Sequence, residues 1–266
     1  MILSAAQVRS FLDAMPTALV EVTGTKGSTP REKGAWMLVS ADRTFGTIGG
    51  GQLEFLAIDK ARELLRENGR GGAMDIPLGP EIGQCCGGRV ELGVSFVDEA
   101  KRAKLIARVE TEVASRPHVY LFGGGHVGRA IAEIFALLPI NLTVVETRAD
   151  ALDDMPAGVE TRLGPVPEES VRTAPPGSAF VVLTHDHSLD FLIVAEALKR
   201  ADAAYVGMIG SRTKRATFHS WYMREAGGTE ENFSRLVSPI GGKVSDKRPS
   251  VIAALAAAEI VVALAG

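Results

Sequence analysis

One stretch, His118-Val119-Tyr120-Leu121-Phe122-Gly123-Gly124-Gly125-His126-Val127-Gly128, decides the fold of the C-terminal half of the chain. Its short apolar run reads as a buried strand, and the glycines after it satisfy G-x-G-x-x-G directly before a helical stretch, Arg129–Leu138. Gly123 permits the tight turn, Gly125 lets backbone N–H groups approach a phosphate, and Gly128 lets helix and strand pack closely, while the helix dipole favours the anion. Gly123, Gly125, His126 and Gly128 are therefore candidate cofactor-binding residues. Glu146 comes 18 residues after Gly128, at the end of the next apolar run, where an acidic side chain would take a ribose hydroxyl. The pattern predicts a Rossmann-like domain. It leaves open whether NAD(P) or another phosphate-bearing ligand is held, because Arg148 nearby could answer a phosphate.

Outward from this turn the same texture continues. Leu142–Val145, Ala179–Leu183 and Ala204–Ile209 are apolar runs separated by helical segments, as buried parallel strands would be, so a doubly wound α/β sheet is expected. The proline-rich stretch from Asp153 to Pro176 reads as a short, irregular crossover. Thr184-His185-Asp186-His187 follows one strand and belongs at the carboxyl edge of the sheet, where ligands of open α/β sheets bind. His185 and His187 are candidates for polar contact with a ligand; a metal site and a solvated helix cap are the alternatives, and a single His-x-His lacks zinc spacing. Gly207-Met208-Ile209-Gly210-Ser211-Arg212 repeats the strand, turn and helix theme. Ser211 is a candidate N-cap, and Arg212, Lys214 and Arg215 place three cations against the helix dipole, which suits either an anion docked there or a solvated basic face.

The N-terminal half reads differently. Ser4 caps a helix whose Val8, Phe11, Leu12 and Met15 form one apolar face, and Pro16 ends it. Short strand-like runs follow at Ala18–Thr25, Ala35–Ser40 and Thr44–Ile48, then a helical stripe from Leu53 to Leu64 closed by Gly69, and two further strands at Met74–Leu78 and Arg89–Val97. Thr47-Ile48-Gly49-Gly50-Gly51 is a second candidate phosphate cradle, with a hairpin loop as the alternative; Gln52 and Glu54 are either ligand contacts or first-turn residues. A charged helix from about Glu99 leads to Arg116-Pro117. The expected organisation is a small α+β domain over residues 1–116 and a Rossmann-like doubly wound parallel sheet domain over 117–266.

The two cysteines are adjacent, in Gly83-Gln84-Cys85-Cys86-Gly87-Gly88. Neighbouring Cα atoms lie about 3.8 Å apart, short of the roughly 4.4–6.8 Å an ordinary disulfide spans, so a structural staple is disfavoured. Flanking glycines leave room around the sulfurs and favour thiol chemistry, against the alternative of one small buried residue beside an incidental thiol. The net charge of −3 supplies no basic field for nucleic acid, and the apolar tail from Val251 to Ala265 is short and broken by Glu259. A cytoplasmic protein with no nucleic-acid or membrane partner is expected.

The order of motifs is more specific than any one of them. Gly27-Ser28-Thr29-Pro30-Arg31-Glu32-Lys33-Gly34, Gly46-Thr47-Ile48-Gly49-Gly50-Gly51-Gln52-Leu53-Glu54, Gly83–Gly88, Phe122–Gly128, Thr184–His187, Gly207–Arg212 and Ser238-Pro239-Ile240-Gly241 together make the chain closely resemble the XdhC/CoxI family of xanthine dehydrogenase accessory proteins, from about Ala18 to the C-terminal helix. The resemblance implies a chaperone of the molybdenum cofactor (molybdopterin). Such a protein holds the cofactor while a cysteine desulfurase supplies its sulfido ligand, then delivers it to xanthine dehydrogenase apoenzyme, with a homodimer as the expected assembly. It implies cofactor contacts from Gly49, Gly50, Gly51, Gln84, Cys85, Cys86, Gly123, Gly125, His126, Gly128, Glu146, His185, His187, Ser211 and Arg212, with Cys85 and Cys86 as soft ligands for molybdenum or sulfur. The competing expectation is an NAD(P)-dependent oxidoreductase with redox-active cysteines.

Overall fold

The computed structural model describes residues 4–67, 69, 71–79, 87–242 and 245–265, and they divide into two compact units that meet in sequence between Ala114 and Ser115. The first unit runs α1 (Ala5–Ala14), β1 (Ala18–Lys26), β2 (Trp36–Val39), β3 (Thr44–Gly46), α2 (Gly51–Glu67), β4 (Gly72–Pro77), β5 (Arg89–Phe96) and α3 (Glu99–Ala114). Its strands form one antiparallel sheet in the order β3-β2-β1-β5-β4. Ser4 caps α1 through a capping box with Gln7, which satisfies two otherwise orphaned donors.

Alternation along the strands serves two layers. Ala18, Val20, Val22, Met37 and Val39 face Leu53, Ala57, Ala61 and Leu64 of α2. Trp36, Leu38 and Phe45 pack on Val8 and Phe11 of α1 and on Leu105 and Val109 of α3. A fully buried Leu53 contributes roughly 2 kcal/mol by removal from water. The third strand stops at Gly46, short of the strand-like run Thr44–Ile48, because Gly46 adopts φ +82°, and a Cβ there would stand 2.9 Å from the Trp36 carbonyl oxygen.

The second unit comprises β6 (His118–Phe122), α4 (His126–Phe135), β7 (Asn141–Glu146), β8 (Glu160–Leu163), α5 (Glu168–Thr173), β9 (Ala179–Val182), α6 (His187–Leu198), β10 (Tyr205–Met208), α7 (Arg212–Arg224), α8 (Glu230–Ser234), β11 (Leu236–Val237) and α9 (Pro249–Ala265). All six strands are parallel, in the order β8-β7-β6-β9-β10-β11, so the chain winds outward from β6 in one direction and then from β9 in the other. Val119 and Leu121 face α4 and α9, whereas Tyr120 and Phe122 face α5, α6 and α7. This is the mixed architecture expected, an antiparallel sheet followed by a doubly wound parallel one.

The Asp153–Pro176 crossover is more regular than its prolines suggest. It contains β8, paired with β7 from Thr143↔Glu160 to Glu146↔Leu163, and the short helix α5. Every residue of β8 is exposed, so an edge strand of sequence Glu-Thr-Arg-Leu carries no apolar signature. Among the described residues, no helix is long and apolar enough to cross a membrane.

Candidate functional site

The carboxyl edge of the parallel sheet brings together the turn after β6, the end of β7 and the loops after β9 and β10. Gly123 adopts φ +118°, and a Cβ on it would lie 2.4 Å from the Leu183 carbonyl oxygen and 3.1 Å from the Thr184 Cα. A Cβ on Gly128 would lie 2.0 Å from the Gly123 carbonyl oxygen. Both glycines are therefore demanded by packing. Gly125 is not: its φ of −67° suits any residue, and a Cβ would meet nothing within 4 Å. Gly125 is also the N-cap of α4 and supplies no capping side chain, so no cap hydrogen bond satisfies the first-turn N–H groups beside exposed Gly125 and His126. A phosphate fits this cradle by geometry and dipole alike.

Glu146 is 3% exposed and faces inward on that turn. Its carboxylate accepts hydrogen bonds from Gly124 N–H at 2.9 Å, Thr147 N–H at 2.8 Å, Arg148 N–H at 3.2 Å and the Arg148 guanidinium at 3.1 Å. Burial pushes its carboxyl up, but the Arg148 side chain and the three backbone donors outweigh burial and hold it at about 2. Across the switch point, fully buried Asp190 accepts from the Thr184 N–H at 2.9 Å and the Thr184 hydroxyl at 2.7 Å, and it pairs with Lys214, whose side chain is 8% exposed. Ser211 caps α7 by accepting from Lys214 N–H. Arg215 lies over the Phe233 ring, which leaves exposed Arg212 as the cation of that helix start turned to solvent. His185 is exposed on the loop before α6, and His187 is exposed as the first residue of that helix, after its cap Asp186.

In the first unit, three motifs far apart in sequence pack on one another. Gly88 lies against Gly27 and Ser28 so closely that a Cβ would stand 2.1 Å from the Ser28 carbonyl oxygen, and Ser28 bridges to Gly87. A Cβ on Gly49 would lie 2.6 Å from the Pro30 Cβ. The Gly27–Gly34 segment is thus the common floor of the glycine loop before α2 and of the C-terminal flank of the cysteine segment. Beside it opens a cleft of about 740 Å³ lined by Pro30, Arg31, Lys33, Trp36, Thr47 and Arg108. In the Thr47–Gly51 loop, Glu54 accepts from the Thr47 hydroxyl at 2.6 Å, Ile48 N–H at 3.2 Å and Gly50 N–H at 3.0 Å. The chain's own carboxylate therefore stands where a phosphate was expected, and Gly49, Gly50 and Gly51 serve to bend the loop onto Pro30.

Comparison with known proteins follows the same division. Residues 119–260 match the family model described as the XdhC Rossmann domain, and residues 13–76 match the model of the XdhC and CoxI family. The chain belongs to the XdhC and CoxI family. It is 30% identical to Escherichia coli K12 YqeB, a protein described as uncharacterized, over 92% of this chain and 43% of that protein, so it spans less than half that relative's length. Its fold is similar to that of a Bacillus halodurans protein solved under the description of a xanthine dehydrogenase, with a TM-score of 0.80, 17% identity, and coverage of 99% of this chain and 96% of that one.

Within this XdhC fold, the sequence-predicted residues Gly123, Gly125, His126, Gly128, Glu146, His185, His187, Ser211 and Arg212 all lie at or next to the carboxyl edge of one sheet. Gln84, Cys85 and Cys86 lie outside the described residues. Among the described residues, no group of three or more His, Cys, Asp or Glu could hold a metal ion. Sequence reasoning did not single out Asp190 and read Lys214 as part of a basic helix start. The signal available was an acidic residue at the fourth position of α6 and a lysine at the third of α7, and only their tertiary packing makes them a pair.

Proposed function

We propose that this XdhC protein is an accessory factor of xanthine dehydrogenase maturation that carries the molybdenum cofactor as cargo and has no turnover of its own. In this reading it holds the cofactor while a cysteine desulfurase sulfurates it, then passes it to the apoenzyme in the cytoplasm, acting as a homodimer. The N-terminal domain, residues 1–116, contributes Cys85 and Cys86 as soft ligands for molybdenum or the transferred sulfur. The Rossmann domain, residues 117–266, contributes a seat for phosphate at Gly125 and His126.

The observation that carries this reading is the packing of the Gly27–Gly34 floor against both the glycine loop before α2 and the flank of the cysteine segment, beside an open cleft. Glycines whose absent side chains bring three chain segments together, one of them adjoining the two cysteines in sequence, suit a binding site better than a core. The NAD(P)-dependent oxidoreductase reading is less well supported, because the carboxylate that would take a ribose diol is already engaged by Gly124, Thr147 and Arg148.

The test is anaerobic incubation with molybdenum cofactor, gel filtration, and assay of molybdenum and oxidised pterin in the protein peak. Co-elution is expected for the wild type, weakened by Cys85→Ser or Cys86→Ser. Folded protein that elutes without metal and pterin, or that transfers hydride from NAD(P)H, would overturn the proposal.

A further inference from the structure

We infer that Arg148 makes the Rossmann turn selective for a ligand bearing a phosphomonoester beside the end of β7, and against one that presents an unmodified ribose diol there. The inference rests on the reading that the turn seats a phosphorylated ligand. A carboxylate offers about four acceptor sites. Those of Glu146 are taken by Gly124, Thr147 and Arg148 backbone N–H groups and by the Arg148 guanidinium through Nη2 at 3.1 Å and Nε at 3.4 Å. A ribose hydroxyl would have to displace one of these donors from a carboxylate whose side chain is 2% exposed. Arg148 itself is 40% exposed in its side chain, and among the described residues its guanidinium is engaged through Nε and Nη2, both on Glu146, which leaves Nη1 for a ligand. The Nη1 N–H groups form a positive fork two residues beyond the acidic position, where a phosphate next to a seated ligand is met. Asp150 attracts the same guanidinium. An exposed aspartate within reach repels an incoming phosphate, so the selectivity is that of one bidentate arginine and not of a basic cluster.

The phosphomonoester could come from the pterin cofactor or from a 2′-phosphorylated dinucleotide. Isothermal titration of the protein with NADP⁺ and NAD⁺, which differ by one phosphate, tests the second source; retention of molybdenum cofactor on gel filtration tests the first. Each is run with wild type, Arg148→Ala, Arg148→Lys and, as a control cation on α4, Arg129→Ala. If the phosphate is nucleotide-borne, NADP⁺ should bind at least about tenfold more tightly than NAD⁺, the strength of a charge-assisted pair, and the ratio should collapse in Arg148→Ala but not Arg129→Ala. If it is pterin-borne, cofactor retention should fall about tenfold in Arg148→Ala and partly recover in Arg148→Lys. Equal affinities for NAD⁺ and NADP⁺ together with cofactor retention indifferent to Arg148 would overturn the inference while leaving the phosphate seat intact. Failure of every phosphorylated probe to bind folded wild type would overturn the seat itself and the inference with it.

Discussion

The Thr47–Gly51 loop and the Gly123–Gly128 turn look alike in sequence, each a glycine cluster between a strand and a helix, yet they are wired oppositely. In the first, Glu54 from the helix that follows folds back and takes the N–H groups of Ile48 and Gly50. In the second, Glu146 arrives from the neighbouring strand and takes only the Gly124 N–H of the turn, behind the helix start. The first loop is closed by its own anion; the second remains open at Gly125. Glycine content makes an anion site possible, and the position of the nearest internal carboxylate decides whether it is available.

The largest effect that would sharpen this contrast is expected within the open turn. Gly128→Ala should destabilise the protein by about 3 kcal/mol or more, because its Cβ would stand 2.0 Å from a backbone oxygen that no rotamer can move. Gly125→Ala should cost less than about 1 kcal/mol, the difference between glycine and alanine at an N-cap, while reducing retention of a phosphorylated ligand. Urea denaturation reads the first quantity and ligand co-elution the second. Equal destabilisation by the two alanines would erase the distinction between packing glycine and open glycine.

Next comes the acid dependence of Glu146. Its folded value of about 2 lies below its ordinary 4.5, so the stability it confers is complete above about pH 4.5 and is lost as pH falls toward 2. The linked free energy is about 3 kcal/mol at full extent. Stability measured from pH 5 to pH 2.5 should fall less steeply in Glu146→Gln than in wild type; parallel curves would mean that the turn does not depend on that carboxylate. A smaller effect than that of Glu146 is expected in the closed loop, where Glu54→Gln should cost about 1–2 kcal/mol and leave phosphate-ligand retention unchanged. A gain in retention would show that Glu54 had been occupying a true ligand seat.

Much of this fold was legible because period and punctuation agree with packing. Val8 and Phe11 behind Ser4, the apolar runs from Val119 onward, and the turn glycines each obey a local rule that the tertiary structure then uses. Strand β8 obeys no such rule, since an exposed edge strand buries no side chain and is held by backbone pairing to β7. The roles of Glu54 and Glu146 were illegible for another reason. An acidic residue near a glycine turn has the same sequence whether it meets a ligand or the chain's own N–H groups, and only the direction of its side chain separates the two. The packing of Gly88 on Ser28 and of Gly49 on Pro30 likewise depends on long-range contacts that no local pattern encodes.

The Asp190–Lys214 pair has a consequence for motion. Asp190 holds Thr184, Thr184 lies against Gly123, and Lys214 ties the start of α7 to the same carboxylate, so three successive loops share one buried anchor. A rim joined in this way fluctuates as one body, and the Thr184 amide should exchange its hydrogen slowly for a residue in a loop. A ligand arriving at such a rim spends little entropy on ordering it, which is the preorganisation that the cargo-carrying role proposed above would use.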